Sequence, residues 1–299
     1  MARLFFISTL CLIIVCGSLA QQPDYSQLRI LVFGAHPDDC EIKAGGMGAK
    51  WAQQGHKVKF VSVTNGDIGH AEMAGGELAR RRTAEVTKAD KMLGVEAEVL
   101  DIHDGELMPT LENRKTFVRL IREWKADIVI APRPNDYHPD HRYTGVLMQD
   151  AAYMVTVKFF MPSVPQIPTN PAFFYLYDNF QKPNPFQPDV VVSIDDTHEL
   201  KVKAMCQLES QIESLWATGN FEKIIPIPTD PQGRSERMQK VKEWLARRDN
   251  KVASKYRDML MKTYGREKAE TIQYAEAFEL CEYGRQPAKE ELKKLFLLP

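Results

Sequence analysis

The chain has 299 residues, and its 39 basic side chains nearly balance its 40 acidic ones, for a formal net charge of −1. That length is enough to bury a full core, as one large domain or as one domain with an extension. The balance excludes the basic excess expected of a nucleic-acid binder.

Arg3 precedes an apolar run from Leu4 to Cys16, and Ser18 and Ala20 suit the small-residue positions of a cleavage site after Ala20. This pattern reads as a signal peptide over residues 1–20, too short and too lightly flanked for a stable membrane span. The expected location is therefore exported, periplasmic or secreted. Val15, rather than a small residue, precedes Cys16, which argues against a lipid anchor. Cleavage would leave Cys40, Cys206 and Cys281, widely spaced and no disulfide framework.

A polar lead-in is followed by Arg29 to Ala35, a continuous apolar run suited to a central parallel strand. Glu41 to Gln54 is helical in pattern, and His56 to Thr64 is a second strand. A Gly-rich loop leads to an amphipathic helix over Glu77 to Leu93, stopped at Gly94. Ala97 to Ile102 reads as a third strand, Asn113 to Trp124 as a helix, and Asp127 to Pro132 as a fourth strand. Residues 172–178 and 189–195 look like two more strands. Thr197 to Ser214 and the charged stretch Arg234 to Tyr264 read as helices. Strand–helix alternation at this spacing predicts an α/β fold with a doubly wound, mostly parallel sheet. The simplest organisation is one domain over residues 21–215, with a helical C-terminal extension over residues 216–299 packed on it.

In such sheets ligands bind beyond the carboxyl ends of the strands. The loops from His36 to Asp39, Asn65 to His70 and Arg133 to His141 should therefore share one rim. Two of them carry His-Pro-Asp: "HPDD" from His36 and "HPDH" from His138. His36, Asp38, Asp39, His138, Asp140 and His141 then gather where a few imidazoles and a carboxylate can hold a catalytic zinc. One of the adjacent aspartates can ligate the cation, and the other can take a proton from its water. A lone HPDD would be only a turn, but two such strings on one rim point to a metal site. Asp140 is placed to orient a neighbouring imidazole.

"AHPDD" after the first strand, with "HPDH" about a hundred residues later, resembles the LmbE/PIG-L family of zinc-dependent de-N-acetylases. "RTAEVTKADKMLG", "DGEL" and a late "ESQ" extend the likeness from about Arg29 to Gln211. The resemblance implies a Rossmann-like fold and removal of acetyl groups from N-acetylglucosamine-type substrates. It implies His36, Asp39 and His141 as metal ligands, Asp38 as general base, and His138 facing the reacting carbonyl. Zinc is the expected cofactor, and iron or cobalt suits the same donors. Attack on an amide creates an oxyanion that the metal and a protonated His138 would stabilise. The leaving amine would take its proton from Asp38 or His138.

Arg82 reads by composition as a solvated helix arginine paired with Glu85, and by resemblance as a substrate-positioning residue. Asn65 and Asp67 either line the substrate pocket or turn the chain. Trp216 and Phe221 are candidates to stack on a sugar or to pack in a loop. Leu208 stands where many family members have a histidine, and Asp136 where some have a tyrosine. The expected partner is a small-molecule or glycoconjugate substrate, and the sequence sets no oligomeric state. Two alternatives stay open: a zinc hydrolase of another small amide, and a non-catalytic carbohydrate-binding protein that keeps its metal. The intact Asp38 argues against the second, because binding needs no base.

Overall fold

The computed structural model describes residues 25–213 and 224–299. Residues 1–20, read from the sequence as a signal peptide, Trp216 and Phe221 lie outside the described residues. A seven-stranded sheet forms the centre. Its strands are β1 (Arg29–Gly34), β2 (Lys57–Ser62), β3 (Glu96–Val99), β4 (Ile128–Ala131), β5 (Ala172–Leu176), β6 (Val190–Ser193) and β7 (Ala275–Gly284). They lie in the order β3-β2-β1-β4-β5-β7-β6. The first five run parallel, and β7 inserts antiparallel to both of its neighbours. The doubly wound, Rossmann-like α/β fold read from the sequence is thus the observed one.

Strand β1 is apolar throughout because both faces of the sheet are covered. Leu31 and Phe33 point into one layer, with Phe117, Leu147 and Phe173. Ile30 and Val32 point into the other, with Trp51, Phe60, Phe174 and Phe278. The two-residue alternation of a strand divides the core into these layers. Helices α1 (Asp39–Gln53) and α2 (Gly75–Leu93) follow β1 and β2, α3 (Leu111–Trp124) follows β3, and α4 (Pro139–Met154) follows β4.

The structure refines the sequence reading beyond β4. Helix α4 was not expected. It starts on Pro139, whose fixed φ suits the first helical turn. The helix expected over Thr197 to Ser214 is instead α5 (His198–Met205) followed by a short α6 (Glu209–Gln211). The long charged stretch is α7 (Pro231–Lys255) and α8 (Arg257–Tyr264), separated at Tyr256. Helices α9 (Arg266–Thr271) and α10 (Lys289–Leu295) bracket β7. The C-terminal region is therefore mostly helical but also completes the sheet.

A buried polar network fixes that region. Lys201 on α5 is fully buried, with Nζ 2.8 Å from Asp249 on α7 and 2.9 Å from Glu276 on β7. The Glu276 carboxylate also accepts the Gly46 and Met47 N–H groups of α1. One ammonium thus joins three helices and a strand.

Candidate metal centre

The sheet order reverses between β1 and β4, and ligands of such sheets bind at that crevice. The β1 loop supplies His36, Asp38 and Asp39, and the β4 loop supplies His138, Asp140 and His141. Two glycines permit this packing. A Cβ on Gly34 would lie 2.7 Å from the Asp39 Cβ, and one on Gly145 would lie 2.5 Å from the Pro132 carbonyl oxygen.

Asp39 opens α1, where its carboxylate also meets the favourable end of the helix dipole. Its Oδ2 accepts the Ala35 and His36 N–H groups, each at 3.0 Å. The same oxygen lies 3.2 Å from His141 Nε2 and 3.5 Å from His36 Nδ1, and the two ring nitrogens are 3.2 Å apart. Donors about 2.0–2.1 Å from a tetrahedral cation are about 3.3–3.4 Å from one another. The buried triad His36, Asp39 and His141 therefore fits a zinc-like ion.

Each imidazole is held from behind. His36 Nε2 lies 3.0 Å from Asp104 Oδ1 and 3.3 Å from Asp140 Oδ2. His141 Nδ1 lies 3.0 Å from Asp136 Oδ1. Asp140 is itself fixed by the Gly105 and Leu107 N–H groups, at 2.7 and 3.2 Å. Carboxylates behind ligating histidines set ring orientation and basicity. Asp140 lies behind one imidazole, that of His36. Asp104 and Asp136 were not expected in this role.

The charges suit a cation. Burial works against a charged His36, but hydrogen bonds to Asp104, Asp140 and Asp39 hold it well above the usual range. Burial likewise opposes a charged His141, and Asp39 and Asp136 outweigh it. Carboxylates that favour charge on both rings would equally favour a divalent ion between them.

The two adjacent aspartates are driven apart. Burial raises the Asp38 carboxyl, and the Asp39 charge adds to the rise while Arg82 opposes it. Burial also acts on Asp39, but His141, Lys43 and the hydrogen bonds from both imidazoles hold it well below the usual range. His138 caps α4: its Nδ1 accepts the Asp140 N–H at 3.2 Å, so a neutral ring carries its proton on Nε2. Burial lowers its pKa, and the neighbouring His36 and His141 lower it further. His138 can thus present its Nε2–H to a developing oxyanion.

Arg82 is no solvated helix residue. Its buried guanidinium donates to Gly66 O, Pro37 O and Asp38 Oδ2, at 3.0, 3.2 and 3.3 Å. It is Arg81 that pairs with Glu85, and Glu85 in turn accepts from Ser210 of the late "ESQ". Asn65 and Asp67 are also turned inward. Asn65 donates to Asp101, and Asp67 accepts the Asp104 N–H and pairs with His103. Their side chains tie the β2 loop to the β3 loop.

The family model for GlcNAc-PI de-N-acetylase, PIG-L, matches residues 31–152. Diacetylchitobiose deacetylase of Thermococcus kodakarensis is 35% identical over 201 residues, covering 63% of this chain and 72% of that protein. The chain belongs to the PIG-L family. A 4-oxalmesaconate hydratase of Pseudomonas putida is 26% identical over 202 residues, covering 64% of this chain and 76% of that protein. The solved N,N'-diacetylchitobiose deacetylase of Pyrococcus horikoshii superposes with a TM-score of 0.61 at 26% identity, covering 84% of this chain and 83% of that one. This PIG-L chain thus shares its fold with relatives of more than one named activity.

Proposed function

We propose that this chain is a metal-dependent hydrolase that removes an acetyl group from an N-acetylated amino sugar or glycoconjugate. The observation that carries the reading is the divergence of Asp38 and Asp39. Asp39 lies between two imidazoles that hold its carboxyl low, whereas Asp38 is raised by burial and turned to Arg82, placed to exchange a proton. Neighbouring titratable groups pushed apart in this way mark the acid–base assignments of a site. The deacetylase relatives support the choice of reaction.

His36, Asp39 and His141 would hold the ion, zinc by donor type, with iron or cobalt as substitutes. A bound divalent ion supplies Lewis acidity, polarising an amide carbonyl and acidifying a water. Asp38 takes the proton of the attacking water, oriented for this by Arg82. His138 donates from Nε2 to the oxyanion that forms on the substrate carbonyl. The proton held by Asp38 is then available to the departing amine. Asp104, Asp140 and Asp136 keep the two ligand rings in place. The chain is proposed to act outside the cytoplasm, on the strength of residues 1–20 alone.

The test is mass spectrometry of N-acetylated amino sugars and small sugar-free acetamides after incubation with metal-loaded protein. Loss of the acetyl group from a sugar is the expected result. Turnover of the sugar-free amides alone would move the assignment to another amidase, and turnover of none would overturn it.

A further inference from the structure

Tyr137, at the end of the β4 loop, is a large aromatic left 69% exposed beside the buried triad. Its ring stands edge-to-face against His138 and His141, with centroids at 5.7 and 5.5 Å and planes at 79° to each. Phe180, from the loop after β5, lies beside it at 6.2 Å and 39°. Both rings sit on fastened backbone. The Arg142 guanidinium donates to the Asp136 and Tyr137 carbonyls at 3.0 and 2.9 Å. On the other side, Arg133 forms a buried ion pair with Asp178, with Nε to Oδ2 at 2.7 Å, and donates to the Phe180 carbonyl at 3.1 Å. The Phe180 N–H returns a hydrogen bond to Asp178 at 2.9 Å. Two buried or half-buried arginines thus fasten the backbone that carries these two aromatic rings at the mouth of the site.

A ring fixed in this way before binding loses little freedom when a ligand arrives. A pyranose with equatorial hydroxyls presents a C–H face of matching shape, and aromatic faces attract such hydrogens weakly but additively. The scale of the contact also selects what sits there. The tyrosine ring packs directly on His138 and His141, and one bond joins the amide nitrogen to the sugar ring. The ring nearest the reacting carbonyl is therefore the one within reach, rather than a distant unit.

We propose that Tyr137, backed by Phe180, is the platform for the sugar ring that bears the acetamido group, and so selects amino sugars over other acetamides. This rests on the deacetylase reading above. The platform uses the ring and leaves the hydroxyl as a supplementary donor.

The experiment compares the parent with Tyr137→Ala, Tyr137→Leu and Tyr137→Phe. Acetate release is followed from N-acetylglucosamine, from N,N'-diacetylchitobiose and from N-acetylethanolamine, which has no ring. Bound metal is measured in every variant, so that a collapsed site is recognised. Tyr137→Ala is expected to raise KM on the sugars about tenfold, about 1.4 kcal/mol of binding, with a much smaller change in kcat. The loss should be smaller on N-acetylethanolamine, and Tyr137→Phe should recover most of it. Equal losses on sugar and ring-less amide, or failure of Tyr137→Phe to rescue, would overturn the platform. Saturation-transfer NMR with N-acetylglucosamine reads binding apart from turnover. Transfer to the ring protons that falls in Tyr137→Ala supports the platform even if no acetate is released, in which case only the deacetylase reading fails. Acetate release with unchanged transfer overturns the platform and leaves the deacetylase reading standing. Absence of transfer in the parent overturns the platform.

Discussion

Asp136 offers the sharpest test of how the ligand rings are held. Its Oδ1 lies 3.0 Å from His141 Nδ1, and it is 8% exposed. It also accepts the His138 N–H at 3.3 Å, so it braces the whole His-Pro-Asp-His turn. Replacing it with alanine removes a charge-assisted hydrogen bond worth about 1.5–3 kcal/mol. Part of that returns if water enters the vacated space, and metal affinity should then fall about 10–100-fold, as for other carboxylates behind ligating histidines. Asp136→Asn keeps an acceptor oxygen without the charge and should fall between alanine and the parent. The assay is competition for zinc against a chelator of known affinity, with total metal checked by elemental analysis. An alanine variant with parental zinc affinity would refute the bracing role, because His141 would then be held without Asp136.

The two adjacent aspartates should fail differently. Asp38→Asn should lose about 10²–10⁴-fold in rate at near-parental metal content, whereas Asp39→Asn should lose metal and regain activity in part with added zinc; elemental analysis with and without excess zinc reads both. Lys201→Met strands Asp249 and Glu276 in the interior and should cost about 3–5 kcal/mol, measured as a lowered urea midpoint, and an unshifted midpoint contradicts the network's role. Burial raises Glu41 to about 7, and burial together with Glu41 raises its partner Asp90 well above the carboxylate range. A raised folded-state pKa gives stability that is full below the unfolded value and is lost as pH rises through the folded one. Urea melts at pH 5 and pH 8 should therefore show a larger fall for the parent than for Glu41→Gln. Exported protein should begin near Gln21, and N-terminal sequencing that finds Met1 retained would contradict the signal-peptide reading.

Much of this molecule was legible from spacing alone. Apolar runs marked β1, β2, β4, β5 and β6, and the repeated His-Pro-Asp marked the rim where three buried donors meet. The roles of Asp104 and Asp136 were not legible, because a carboxylate behind an imidazole is a contact in space. Asp104 lies far along the chain from His36, and nothing in "DGEL" announces that it will face a ring nitrogen. The partners of Arg82 were hidden for a related reason. It sits in a run of three arginines, and only the fold decides that Arg81 turns to Glu85 while Arg82 turns inward. Strand β7 was hidden by its charges: Glu276, Glu279 and Glu282 break up its apolar pattern. The first of them is buried only because Lys201 and two helix N–H groups receive it.

Strand β7 also sets the timing of assembly. Among the described strands, β6 pairs with β7 alone, and β7 is the bridge between β6 and β5. The β5–β6 connection carries Asp178 and Phe180, so its two anchoring strands are joined only when residues 275–284 have been made and have threaded between them. Pairing across such long stretches of chain is slow and comes late in folding. Until that strand is in place one wall of the mouth is unfastened, and the Glu276 carboxylate that receives the Gly46 and Met47 N–H groups of α1 is missing. The helix that opens on Asp39 and the connection that carries Phe180 therefore both lean on the same late strand.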